Sequence, residues 1–136
     1  TDTKTKLIPT LELLIKTFPV NFQYDKRIIP QIYEVEEYEK VKQLKFSRII
    51  FTLYRSLDLT DDEVLAFLRN KPEIWALTLP PHRMTNKLLA GVKNLQIRIF
   101  THTINDPGLA RNLLSKGIGI YSDFLFPSNQ KDSITF

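Results

Sequence analysis

Apolar and polar positions alternate in blocks along this chain, and the period of each block predicts an element. Over residues 9–18, Leu11, Leu14, Ile15 and Phe18 recur at helical spacing and Pro19 stops the run, which predicts a helix. Ile28, Ile29, Ile32 and Tyr33 form a short β-rich run. Val35, Tyr38, Val41 and Leu44 lie three apart and predict a helix over 35–44, with Glu36 and Lys40 paired on its wet side. Residues 48–54 read Arg-Ile-Ile-Phe-Thr-Leu-Tyr, the nearly continuous apolar run of a strand buried on both faces. Thr60 with Glu63 three residues on is a capping box, opening a helix whose apolar side is Val64, Leu65 and Leu68.

The alternation continues to the end. Residues 74–79 predict a strand, closed by Pro80-Pro81. Thr85 or Asn86 caps a helix containing Leu88, Leu89 and Val92. Residues 97–103 predict another strand, with Ile97 and Ile99 on one face. Asp106 and Pro107 supply an N-cap and a first helical residue, and Gly117 closes that helix. Residues 118–121 predict a last strand, and residues 126–136 a loop or tail. The strand starts lie about 20–26 residues apart, as in parallel β-α units with right-handed crossovers. Two α/β architectures share that spacing. One is a flavodoxin-like doubly wound sheet. The other is five or six of the eight units of a (β/α)8 TIM barrel, which needs ~250 residues. No linker or low-complexity segment interrupts residues 1–136, which read as a single domain.

Composition narrows the classes. With 136 residues the chain suits one domain. It has no cysteine, which excludes a disulfide scaffold and a thiolate metal site. No apolar run approaches the ~20 residues of a membrane span. A charged fraction of 25% argues against disorder, and the net charge of +4 is mild. Lys and Arg are spread along the sequence without an aromatic-interleaved stripe, so no nucleic-acid partner is expected. There is no G-x-S-x-G elbow, P-loop, G-x-G-x-x-G or Cys nucleophile.

Ligands of parallel α/β folds gather at the carboxyl ends of the strands. Those ends read Asp2 with Lys4, Gln31 with Tyr33, Thr52 with Tyr54, Thr78, His102 with Asn105, and Asp123. Most members of this polar ring close an apolar run. Asp2 is a candidate hard-oxygen ligand for a divalent cation, and Lys4, on the same strand face, a candidate phosphate contact. His102 is placed either at a substrate-facing mouth or at the edge of the core. His82, after two prolines, reads as a surface residue, and Trp75 as core.

Two stretches carry a family resemblance. They are residues 97–106, Ile-Arg-Ile-Phe-Thr-His-Thr-Ile-Asn-Asp, and residues 113–124, Leu-Leu-Ser-Lys-Gly-Ile-Gly-Ile-Tyr-Ser-Asp-Phe. Together they resemble the last two β-α units of the glycerophosphodiester phosphodiesterase family. That family has an aromatic-or-His–Thr–aliphatic–Asn strand end, a Gly-containing turn and a strand closing on Thr-Asp. Ser122 stands here where the threonine is usual. Residues 27–33 and 49–54 look like the fourth and fifth strands, and residues 1–4 like the end of the third.

The resemblance implies a TIM barrel present as roughly its third to eighth β-α units. It implies a phosphoric diester hydrolase releasing glycerol 3-phosphate and an alcohol from a small glycerophosphodiester. It implies a divalent cation, Ca²⁺ or Mg²⁺, with Asp2 as one ligand. By the same resemblance, Lys4 contacts phosphate and His102 takes the family's substrate-facing aromatic position. Gln31, Tyr33, Thr52, Tyr54, Asn105 and Asp123 complete the substrate-binding set. The family's acid/base histidines belong to a His-Arg-Gly motif and a His-Asp motif, and neither occurs in this sequence. The chain alone is therefore expected to be inactive, with a missing N-terminal barrel segment as partner. A non-catalytic phosphate- or polyol-binding module is the alternative.

Overall fold

The computed structural model describes residues 6–19, 22–56 and 58–126. Helix α1 spans Leu7–Thr17 and the short α2 spans Tyr24–Arg27. Strand β1 is only Gln31–Ile32, because Pro30 has no N–H for a longer ladder. Then follow α3 (Glu37–Gln43), β2 (Ile49–Thr52), α4 (Asp61–Leu68) and β3 (Ile74–Leu79). A 3₁₀ turn at Pro81–Arg83 leads to α5 (Asn86–Asn94), β4 (Arg98–Thr101), α6 (Pro107–Ser115) and β5 (Ile118–Ile120).

The chain is an α/β fold whose five strands form one all-parallel sheet in the order β1-β2-β3-β4-β5. Sequential order means that every crossover between these strands moves to the next one. In register, Ile32, Phe51, Leu77, Ile99 and Ile118 form one row across the sheet. These residues belong to a single hydrophobic cluster with Leu11, Tyr38, Val41, Val64, Leu68, Leu88, Val92 and Leu113 of the helices. Burying a side chain of this kind contributes about 1.5–3 kcal/mol. Consecutive helices α4 and α5 also pack on each other, closely enough that a Cβ at Gly91 would meet Leu65 Cδ2 at 2.5 Å.

The opposite face reads differently. Its rows are Gln31–Ile50–Ala76–Arg98 and Thr52–Thr78–Phe100–Gly119, and none of these residues belongs to the helix-packed cluster. A register shift at Ile49/Ile50 inserts an extra residue in β3, so that Trp75 lies 6.0 Å, ring to ring, from Phe100. Trp75, expected in the core, is only half-buried there.

The caps explain where the helices start. Thr60 N–H donates to Glu63 Oε2 (2.8 Å) while Glu63 N–H donates to Thr60 Oγ1 (3.3 Å). Thr85 rather than Asn86 caps α5, accepting from Leu88 N–H, and Asp106 accepts from Leu109 N–H. Gly117 adopts φ 75°, which a residue with a Cβ rarely tolerates, and turns the chain from α6 into β5. Among the described residues, no helix is long and apolar enough to cross a membrane.

Candidate functional site

β2, β3 and β4 each carry a threonine near the carboxyl end. Threonine is favoured there because a β-branched side chain suits a pleated, packed surface. Thr52 and Thr78 are direct partners across β2 and β3, on the face away from the helix-packed cluster. They are 0% and 1% exposed, and neither hydroxyl has a hydrogen-bond partner among the described residues. Thr101, on the other face beside Leu79, shares that condition. An unpaired buried hydroxyl costs roughly 1–3 kcal/mol, so these threonines are buried at a cost in stability.

Just beyond the threonines lies an aromatic track. Tyr54 is 60% exposed, and its ring lies 5.9 Å from His102. His102 lies 6.4 Å from Tyr121, and Tyr121 5.8 Å from Phe100. Phe100 can lie against the sheet because its register partner is glycine. A Cβ at Gly119 would stand 2.3 Å from the Phe100 ring. Burial holds the His102 imidazole below the ordinary histidine range, since a charged ring would be poorly solvated there. The neutral ring offers one donor and one acceptor at the sheet's rim.

Asn105 and Asp123 meet, but they spend their polar atoms on each other. Asn105 Nδ2 donates to Asp123 Oδ2 (3.2 Å), and Asn105 Oδ1 accepts from Asp123 N–H and Ser122 Oγ–H, both at 3.0 Å. Ser122 Oγ in turn accepts from Phe124 and Leu125 N–H. The arrangement ties the exits of β4 and β5 together. Tyr33 is buried, its N–H donates to Glu37 Oε2 (2.7 Å), and its carbonyl accepts from Ser56 Oγ (2.6 Å). The Arg55 guanidinium lies 4.9 Å from the Tyr33 ring centre. Gln31 sits one row toward the amino ends, paired with Ile50.

The structure thus gathers Thr52, Thr78, Tyr54 and His102 around one rim and braces it with Asn105 and Asp123. Asp2 and Lys4 lie outside the described residues. His82 is exposed, as its sequence context predicts. Sequence reasoning did not single out Arg55, Ser56, Tyr121 or Ser122 as rim residues. Each adjoins a predicted strand end, which is the signal that finds them. Among the described residues, no three His, Cys, Asp or Glu side chains gather to hold a metal ion. Ca²⁺ or Mg²⁺ takes about six or more oxygen ligands, and Asp123 with its Asn105 partner does not supply them. No family model, curated protein or solved structure matches this chain.

Proposed function

We propose that the sheet is the later part of a (β/α)8 barrel of the glycerophosphodiester phosphodiesterase type, and that its rim binds the polyol-phosphate part of the substrate. One observation carries the reading. Among the described residues, polar side chains stand at the carboxyl ends of sequentially ordered parallel strands, where barrel enzymes keep their sites. Neutral His102 donates a hydrogen bond to the polyol oxygens or accepts one from them, and Tyr54 packs on the carbon skeleton, above the buried Thr52 and Thr78. Asn105 and Asp123 hold the β4 and β5 exits in position. In the proposed hydrolysis, water attacks phosphorus and the alcohol leaves with a proton, giving glycerol 3-phosphate. The acid/base histidines and most carboxylates for a divalent cation come from a further barrel segment. Such a cation lowers the charge on the phosphoryl oxygens when bound, with Asp2 as this chain's contribution.

The test is complementation. The chain is mixed with a segment carrying His-Arg-Gly and His-Asp motifs, and release of glycerol 3-phosphate from glycerophosphocholine is measured with and without Mg²⁺ or Ca²⁺. Metal-dependent release only in the mixture supports the reading, and no release in any arm overturns it. The second reading, a binding module without catalysis, is favoured by the exposed Tyr54 ring beside His102. It expects the chain alone to bind glycerol 3-phosphate, and Tyr54→Ala/His102→Ala to weaken binding roughly tenfold, the equivalent of one or two lost hydrogen bonds.

A further inference from the structure

A cavity lies at the opposite end of the sheet from the rim. It has a volume of about 360 Å³ and opens at the amino ends of β2, β3 and β4. Arg48, Arg69, Lys71 and Arg98 contribute to its lining, and no described carboxylate does. The positive charge is held in place. Trp75, also in the lining, has the Arg48 guanidinium 5.7 Å and the Arg98 guanidinium 4.7 Å from its ring centre. Stacking of this kind orients the planar fork of an arginine without neutralising it. Arg48 is fixed further by donating Nη2–H to the Lys26 carbonyl (2.6 Å).

Of the four lining cations, a nearby acid among the described residues pairs with Lys71 alone. Glu39 pairs with Lys71 at 3.0 Å, and Glu73 is engaged by the Tyr38 hydroxyl and by Lys42 at 3.5 Å. Arg48, Arg69 and Arg98 make no ion pair among the described residues. Three guanidinium groups around one concavity repel each other, and an anion bound between them relieves that repulsion. Arginine forks match phosphate oxygens bidentately, and the volume suits a small molecule. The charges converge on one concavity instead of tracking along a surface stripe, which disfavours a nucleic-acid strand.

We propose that this cavity is a binding site for a small phosphate-bearing anion of diphosphate size, gripped by Arg48, Arg69 and Arg98 beside Trp75. It lies away from the rim and does not depend on the function proposed there. Trp75 is the chain's single tryptophan, so its fluorescence reports on the cavity directly. Inorganic pyrophosphate is titrated into the whole chain at low ionic strength, where screening is weakest. A saturable one-to-one change is expected, together with a weaker response to sulfate at matched ionic strength. Arg69→Gln is expected to weaken binding roughly tenfold, the cost of removing one charged hydrogen-bonding partner. Arg69 is exposed and makes no ion pair among the described residues, so this substitution leaves the fold intact. Arg69→Gln/Arg98→Gln is expected to abolish binding, and Arg111→Gln on α6 to leave it unchanged. The proposal is overturned by an unsaturable response, by equal responses to pyrophosphate and sulfate, or by undiminished affinity in Arg69→Gln.

Discussion

His102 stands between Tyr54 and Tyr121 at the rim, and burial keeps its ring neutral. The direction of that shift fixes a pH dependence. The folded pKa lies below the unfolded value of about 6.5, so the unfolded chain takes up its proton first as pH falls. This contribution to stability is complete above about pH 6.5 and is lost as pH drops through the folded pKa. The His102 ring should therefore titrate by NMR with a midpoint below 6.5. The fall in urea midpoint between neutral and mildly acidic pH should be smaller in His102→Gln than in the unsubstituted chain. An ordinary midpoint, or identical pH profiles, would refute the burial account. At this scale the sequence shows which polar residues close apolar runs, and Thr52, Thr78 and His102 are found that way. It does not show that Asn105 and Asp123 consume each other's hydrogen bonds. That depends on two strand exits, 18 positions apart in sequence, being neighbours in space.

Gly119 shows how one missing side chain shapes a sheet face. The Phe100 ring occupies the place where a Cβ of residue 119 would stand, and from there it reaches both Trp75 and Tyr121. Gly119→Ala should force the ring off the sheet, at about 1–3 kcal/mol, as overpacking usually costs. A lower urea midpoint and an altered Trp75 emission check this together. Unchanged emission with unchanged stability would mean that the ring has room to spare. The elements themselves were largely legible. Thr60, Thr85 and Asp106 accept the capping bonds that their positions predict. Boundaries were less so, because hydrophobicity outlasts pairing. The apolar run over residues 48–54 is longer than the ladder, which covers Ile49–Thr52 with Leu53 N–H still bonded to the Thr78 carbonyl. The β-rich run at residues 28–33 shrinks to Gln31–Ile32 behind Pro30. Helix α2, at four residues, is too short to show a period at all.

At the scale of the whole molecule, helices pack one face of the sheet, while the other is buried at Thr52, Ala76 and Thr78 and exposed toward its rim. Helices cover the row from Ile32 to Ile118, whereas Phe100 is half-buried and Tyr54 and Tyr121 are exposed on the opposite side. Among the described residues, β1 and β5 each pair on one side only, leaving backbone donors and acceptors at both edges. Just past β5, Phe124 is 72% and Phe126 89% exposed. Natural sheets blunt such edges with charge, proline, bulges or closure, and a barrel removes them entirely. Pro30 protects the β1 side, while Ile118, Gly119 and Ile120 carry no charge. The chain alone should consequently self-associate through the β5 edge at concentrations of about 10–100 μM, where exposed strands and apolar surface come together. Sedimentation equilibrium measures this. Phe124→Glu/Phe126→Glu should shift the chain toward monomer without altering its urea midpoint, because neither ring is buried. If the proposed barrel reading holds, a complementary segment should shift it further, since it would occupy the edge itself. A monomer throughout that concentration range, with no response to the two glutamates, would show that the β5 edge is already protected.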